Sequence, residues 1–87
     1  MTSLGDCLHA ALAVVEDRHD RYGDARIVMR DIAAAWSLVL GITVTPAQVA
    51  QCMVLLKMIR QTHGNDPDNW TDTAGYADLG HMLSGDA

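Results

Sequence analysis

Two charged pairs flank a short break in this chain, and together they could hold a phosphate. Lys57 and Arg60 stand three residues apart at the end of one helical pattern, and Asp68 and Asp72 stand four apart at the start of the next. Each spacing puts both members on one side of its helix. Lys57 follows Val49–Leu56, a run with almost no polarity, so its ammonium must snorkel to solvent or find a partner. Two arrangements satisfy these groups. In one, Lys57 and Arg60 contact phosphate oxygens through charge-assisted hydrogen bonds, Asp72 orients Arg60 or holds a sugar hydroxyl, and Tyr76 stacks on a base. In the other, the four side chains form an ion-pair network that ties two helices together. The sequence leaves both open.

A second charged segment, Glu16-Asp-Arg-His19-Asp20-Arg-Tyr22-Gly23-Asp24, ends the first helical pattern. Glu16 and Asp20 share a face and could bind a divalent metal, since hard cations want converging carboxylates. The same residues also describe a solvated helix end balanced by Arg18 and Arg21, which is the commoner arrangement. His19 extends the apolar stripe Leu8, Leu12, Val15, so it is expected to point inward, as a hydrogen-bonded core residue or a ligand contact. Tyr22 reads first as part of a helix stop, with stacking on a base as its functional alternative. Gly75 sits in mid-helix at a cost of about 1 kcal/mol against Ala, which marks close approach of another helix or of a ligand. No nucleophile elbow, phosphate loop, dinucleotide-binding glycine pattern or zinc spacing is present.

The elements that must position these residues are helices throughout, because apolar residues recur at helical spacing along the whole chain. The expected spans are about 4–22, 25–40, 46–63 and 67–83. Ser3 with Asp6, Asp24, Thr45-Pro46 and Asn65-Asp66-Pro67 are start signals. Gly23, Gly41 and His63-Gly64 are stops, and Ser84 to Ala87 should fray. Ile42-Thr43-Val44 is a short extended link rather than a strand. The expected core stripes are Leu4, Leu8, Leu12, Val15 and His19 on the first helix and Val28, Ile32, Ala35, Trp36 and Val39 on the second. The third helix is apolar nearly all round, with Leu56 among its core residues, and should lie centrally or between subunits. The fold class is all-α: a compact four-helix bundle in one domain over residues 1–87, with consecutive helices mostly antiparallel neighbours.

Composition narrows the partners. Hydrophobic residues make up 49% of 87, with no Phe, two Trp and two Tyr, so the core must be aliphatic. A chain of this size buries only about 60–65% of its unfolded surface; much of the apolar content has nowhere to go in a monomer, and a homo-oligomer is expected. A net charge of -5 argues against nonspecific binding to a nucleic acid polymer, which needs a basic face, and no such partner is expected. Cys7 and Cys52 fit no metal spacing and are expected as buried free thiols in a reducing compartment. No basic segment followed by an apolar run opens the chain, and the longest apolar stretch, residues 32–44, is too short to span a bilayer. A cytoplasmic location with no membrane partner is expected.

Several stretches carry a family likeness: His19-Asp20-Arg-Tyr22-Gly23-Asp24, Ile32-Ala-Ala-Ala-Trp36, Val49 to Arg60 with its Val-Leu-Leu-Lys57 core, and Asp68-Asn-Trp70-Thr-Asp72-Thr-Ala-Gly75-Tyr76-Ala77. Over about residues 16 to 80 the chain resembles a family of small phage proteins that is distantly similar to the MazG-like, all-α nucleotide pyrophosphohydrolases. The resemblance implies an infected host cell as location and a nucleotide, or a related phosphorylated small molecule, as ligand. Sequestering a host signalling nucleotide in counter-defence would be one use of such binding. An enzyme of that type would need Mg2+ and would release pyrophosphate. Its pattern calls for a Glu-Glu-x-x-Glu cluster and a Glu-x-x-Asp pair, whereas this chain has a single glutamate, Glu16. Glu16 and Asp20 would have to replace the cluster, and Asp68 and Asp72 the pair. Binding without hydrolysis therefore fits the residues better, with the Mg-dependent enzyme second and a protein-interaction module third.

Overall fold

Local start and stop signals set four helices in the computed structural model, which describes residues 2–85. They are α1 (Asp6–Tyr22), α2 (Ala25–Leu40), α3 (Pro46–His63) and α4 (Pro67–Gly85), and no strand occurs among the described residues. Thr45 and Gln48 form a reciprocal capping box at the start of α3, with Pro46 in the first turn. The Asp24 carboxylate accepts from the Arg26 N–H at 2.9 Å, and that of Asp66 accepts from the Asp68 N–H at 3.0 Å. Each cap satisfies a donor that the first helical turn leaves unpaired.

Both ends of the chain depart from expectation. The helix α1 begins at Asp6, not Leu4, because Gly5 takes a left-handed φ of 94° and makes a turn there. The Asp6 carboxylate reaches back to the Ser3 N–H at 2.7 Å, while no side-chain cap bond forms at Gly5. At the other end α4 continues through Ser84 and Gly85, where the Ser84 hydroxyl donates to the Gly80 carbonyl at 2.7 Å. The fraying expected of Asp86 and Ala87 concerns residues outside those described.

The architecture is an all-α, four-helix bundle with α3 and α4 as its central pair. Contacts along that pair fix its direction. Ala50 lies beside Gly80, whose added Cβ would stand 3.4 Å from the alanine's. Lys57 meets Asp72, and Gln61 meets Asn69. Positions rise on α3 as they fall on α4, so the helices are antiparallel. Small residues let them close at one end, and polar side chains join them at the other. The helix α2 packs on α3, and α1 packs on α4. Met29, Ala33, Val49, Ala50 and Leu83 form the buried core, with Ile32, Trp36, Val44, Tyr76 and Leu79 packed around it. Ser37 secures the α2–α3 turn: its Oγ accepts from the Val44 N–H at 2.8 Å and donates to the Ala33 carbonyl at 2.7 Å.

Several expected faces are rotated. The first two helices scarcely touch, so α1 is not the antiparallel neighbour of α2. On α1 the inward line is Cys7, Ala11 and Val14, with Ala11 buried. Leu8 and Leu12 lie roughly 60–100° round the helix from it and are exposed, as are Leu4 and Val15. Where α1 approaches α4 at Gly75, an added Cβ would stand 3.7 Å from Val15 Cγ2, so Val15 touches α4 at the edge of the contact. His19, at the end of the outer stripe, is exposed rather than inward. On α2 the buried line is Met29 and Ala33, with Ile32 and Trp36 half-buried and Val28, Ala35 and Val39 exposed. On α3, Leu55, Leu56 and Ile59 face outward, because α2 and α4 occupy its other sides. Cys7 is half-buried and Cys52 exposed, both as free thiols, in place of the expected buried pair. No described helix is long and apolar enough to cross a membrane.

Candidate functional site

The end of α3 and the start of α4 enclose an open cleft of about 610 Å³, and four of the expected residues line it: Lys57, Arg60, Asp68 and Asp72. The turn between the helices is held by Gln61. Its Oε1 accepts from the Asp66 N–H at 3.1 Å and from Asn69 Nδ2 at 3.1 Å, and its Nε2 donates to Asn65 Oδ1 at 2.7 Å. Asn69 is buried, its carbonyl accepting from the Thr73 hydroxyl at 2.7 Å. A buried amide must be satisfied in this way, and the result is a fixed floor to the cleft. The charge pattern does not single out Gln61 and Asn69. Their spacing would have, since Gln61 is one turn beyond Lys57 and Asn69 is three residues before Asp72.

The four charged residues do not act alike. Lys57 Nζ and Asp72 Oδ2 are 2.8 Å apart, with the two side chains only 16% and 23% exposed. The structural arrangement is thus realised for this pair, because the apolar run before Lys57 draws its stem inward and Asp72 is the acid within reach. Arg60, by contrast, is exposed and makes no hydrogen bond or ion pair among the described residues. The carboxylate of Asp68 likewise has no partner there, although it lines the same cleft. Asp72 is engaged by Lys57 and does not orient Arg60. His63, in the last turn of α3, adds a further ring donor to the rim.

The remaining expected residues lie elsewhere. Tyr76 is one turn beyond Asp72 but packs on the core and lines a separate groove with Ala47, Val54 and Gly80, so it does not stack over the Lys57–Arg60 cleft. His19 and Tyr22 are exposed at the end of α1 and line neither hollow. Glu16 and Asp20 stand exposed on α1. No group of three or more His, Cys, Asp or Glu side chains that could hold a metal converges among the described residues, which is the ligand set a hard cation wants. Close by, Arg26 holds the Asp24 carboxyl below its usual value of 3.8, first through the side-chain hydrogen bond and then through the backbone one. That pairing, at 3.0 Å, belongs to the α2 cap.

No curated protein and no solved structure matches the chain. A family model described as a domain of unknown function, DUF6378, matches residues 6–84. That span takes in all of the cleft and nearly all of the four helices, and the chain therefore belongs to the DUF6378 family.

Proposed function

We propose that the protein binds a phosphorylated small molecule of the nucleotide class in the cleft between α3 and α4. The observation that supports this most directly is the contrast between neighbouring cations. Lys57 is consumed by Asp72, whereas Arg60 stands over the same cleft without a partner among the described residues. An unpaired guanidinium offers forked donors that match phosphate geometry. The free Asp68 carboxylate, which can only accept, suits hydroxyls such as those of a ribose. A ligand carrying both groups uses both residues, and a simple anion uses one. The role of Lys57–Asp72 in this reading is to hold the two helices at the distance the ligand needs.

The converging carboxylates that magnesium would require are not assembled around this cleft among the described residues, so the chemistry proposed is retention of the intact ligand. Such binding would sequester a signalling nucleotide rather than hydrolyse it.

Thermal melting with ATP, adenosine and pyrophosphate tests the proposal. With a Kd of about 100 µM, about 1 mM ligand stabilises by about 1.4 kcal/mol, a shift of several degrees for a domain of this size. ATP should shift the wild type most, pyrophosphate less and adenosine least. Arg60→Ala should abolish the response to ATP and pyrophosphate, and Asp68→Asn should reduce only the response to ATP. An Arg60→Ala protein that still responds fully, or a wild type indifferent to all three, would overturn the assignment.

A further inference from the structure

We infer that this chain is an obligate homodimer, joined through the outer stripe of α1. Three observations carry the inference, and none depends on the ligand cleft.

The first is the thinness of the core. Buried apolar residues among those described are Ala11, Met29, Ala33, Val49, Ala50 and Leu83, and only Val49 among the larger ones is fully enclosed. A domain this small has little stability to spare even with a good core. The second is area. The chain exposes 6437 Å², against about 5,000 Å² for a folded monomer of its 9.4 kDa mass. The excess, about 1,400 Å², is larger than the ~800 Å² per partner of a standard interface and falls in the range of obligate dimers. The radius of gyration agrees, at 13.8 Å against about 12 Å for 87 residues.

The third observation locates the surface. In α1 the single buried residue is Ala11, and the helix packs mainly on α4. A helix owes most of its stability to tertiary packing of an apolar face, and buried Ala11 with half-buried Cys7 and Val14 makes a thin one. The leucines stand clear of α4: Leu8 and Leu12 on α1 are 69% and 58% exposed, and Leu4, in the turn before the helix, is fully exposed. Leu8 and Leu12 stand one turn apart on one face, and with Leu4 just before the helix they make an uncharged apolar patch that can seat another helix.

A partner needed for the fold itself must be present whenever the chain is folded, and a second copy always is. The stripe is also free of charge, which matters between two chains of net charge -5. An isologous contact, with α1 against α1 of the second copy, buries the same patch twice and closes the assembly.

Light scattering and cross-linking test this on the full chain. The wild type should run at twice its 9.4 kDa mass, or an even multiple, down to micromolar concentration. A folded monomer there would overturn the inference. To place the interface, a single cysteine is introduced into a Cys7→Ala, Cys52→Ser background, either as Leu12→Cys or as Leu55→Cys on the outer face of α3. Cysteine is small and apolar, so both variants should fold. A short bis-maleimide should link the Leu12→Cys chains to dimer and leave Leu55→Cys mostly unlinked. The reverse pattern, or linkage at neither position, would overturn the assignment to α1, and so would a mass that rises only when another protein is added.

Discussion

Lys57 and Arg60 sit less than one turn apart on α3, yet their removal should have opposite consequences. The Lys57–Asp72 pair is 2.8 Å long and about four-fifths buried. Exposed ion pairs are worth about 0.2–1 kcal/mol, and breaking a fully buried one costs about 3–5 kcal/mol. The partial burial discounts the upper figure for solvent screening. Lys57→Met, which keeps the apolar stem and strands the Asp72 charge, should therefore cost about 2–3 kcal/mol. For a domain of this size that lowers Tm by roughly 10–20 °C, measured at fixed protein concentration. Restoring neutrality with Lys57→Met/Asp72→Leu should recover most of the loss, since apolar side chains often replace a buried pair at little cost. Arg60→Ala removes an exposed side chain without a described partner and should stay within about 0.5 kcal/mol of wild type. The cycle is read by thermal and urea unfolding. An Arg60→Ala loss equal to that of Lys57→Met would mean that both cations are structural. A Lys57→Met protein as stable as wild type would mean that the pair holds nothing together. Either result would refute the division of labour in the cleft.

Three further outcomes are expected. Val49→Ala, at a fully enclosed position, should cost about 2–3 kcal/mol and Trp36→Ala, half-buried against the core, a similar amount, whereas Leu56→Ala, at an exposed position, should cost about 1 kcal/mol; urea unfolding at constant concentration compares them. Gly75→Ala should stabilise by up to about 1 kcal/mol through helix propensity, because its Cβ would meet Val15 at an ordinary 3.7 Å, while Gly80→Ala should gain little, with its Cβ 3.4 Å from Ala50; thermal melts of the two variants should differ in that order. Asp24 has its pKa lowered from 3.8 by Arg26, so its contribution to folding is fully present above that value and is lost as pH falls through the lower folded value; the stability gap between wild type and Asp24→Asn should be constant at neutral pH and shrink only in acid below about 3.8.

The parts of the fold that the sequence made legible are those governed by short-range chemistry. Thr45-Pro46 with Gln48, Asp24, and Asp66-Pro67 act within one turn of themselves, and the helices start where these residues put them. The cleft was legible for the same reason. Lys57, Arg60, Asp68 and Asp72 flank one tight turn, and an antiparallel hairpin brings its two ends together whatever the rest of the chain does. Tyr76 was misplaced because one further turn along α4 carries a side chain past the Lys57–Asp72 pair and onto the core. Gln61 and Asn69 carry no charge, so the charge pattern that marks the cleft does not mark them; their spacing beside Lys57 and Asp72 is the signal that could.

The helix faces were the harder problem, and the misreadings share a cause. On α1 the expected stripe is Leu4, Leu8, Leu12, Val15 and His19, all exposed; on α2 it is Val28, Ile32, Ala35, Trp36 and Val39, of which Ile32 and Trp36 pack on the core and the other three are exposed. Apolar periodicity reports every surface a helix withdraws from water, without saying whose atoms cover it. Within the chain, close approach is governed by small residues, so Ala11 beside α4 and Ala33 beside α3 take the inner positions. The bulky side chains are then displaced to the flank. A monomer would have no use for two such flanking stripes, since exposed contiguous apolar surface promotes aggregation. In the proposed dimer a second copy would cover Leu8 and Leu12 of α1. Leu12→Cys cross-linking therefore tests more than an oligomeric state. It asks whether the strongest apolar signal in this sequence was written for a neighbour.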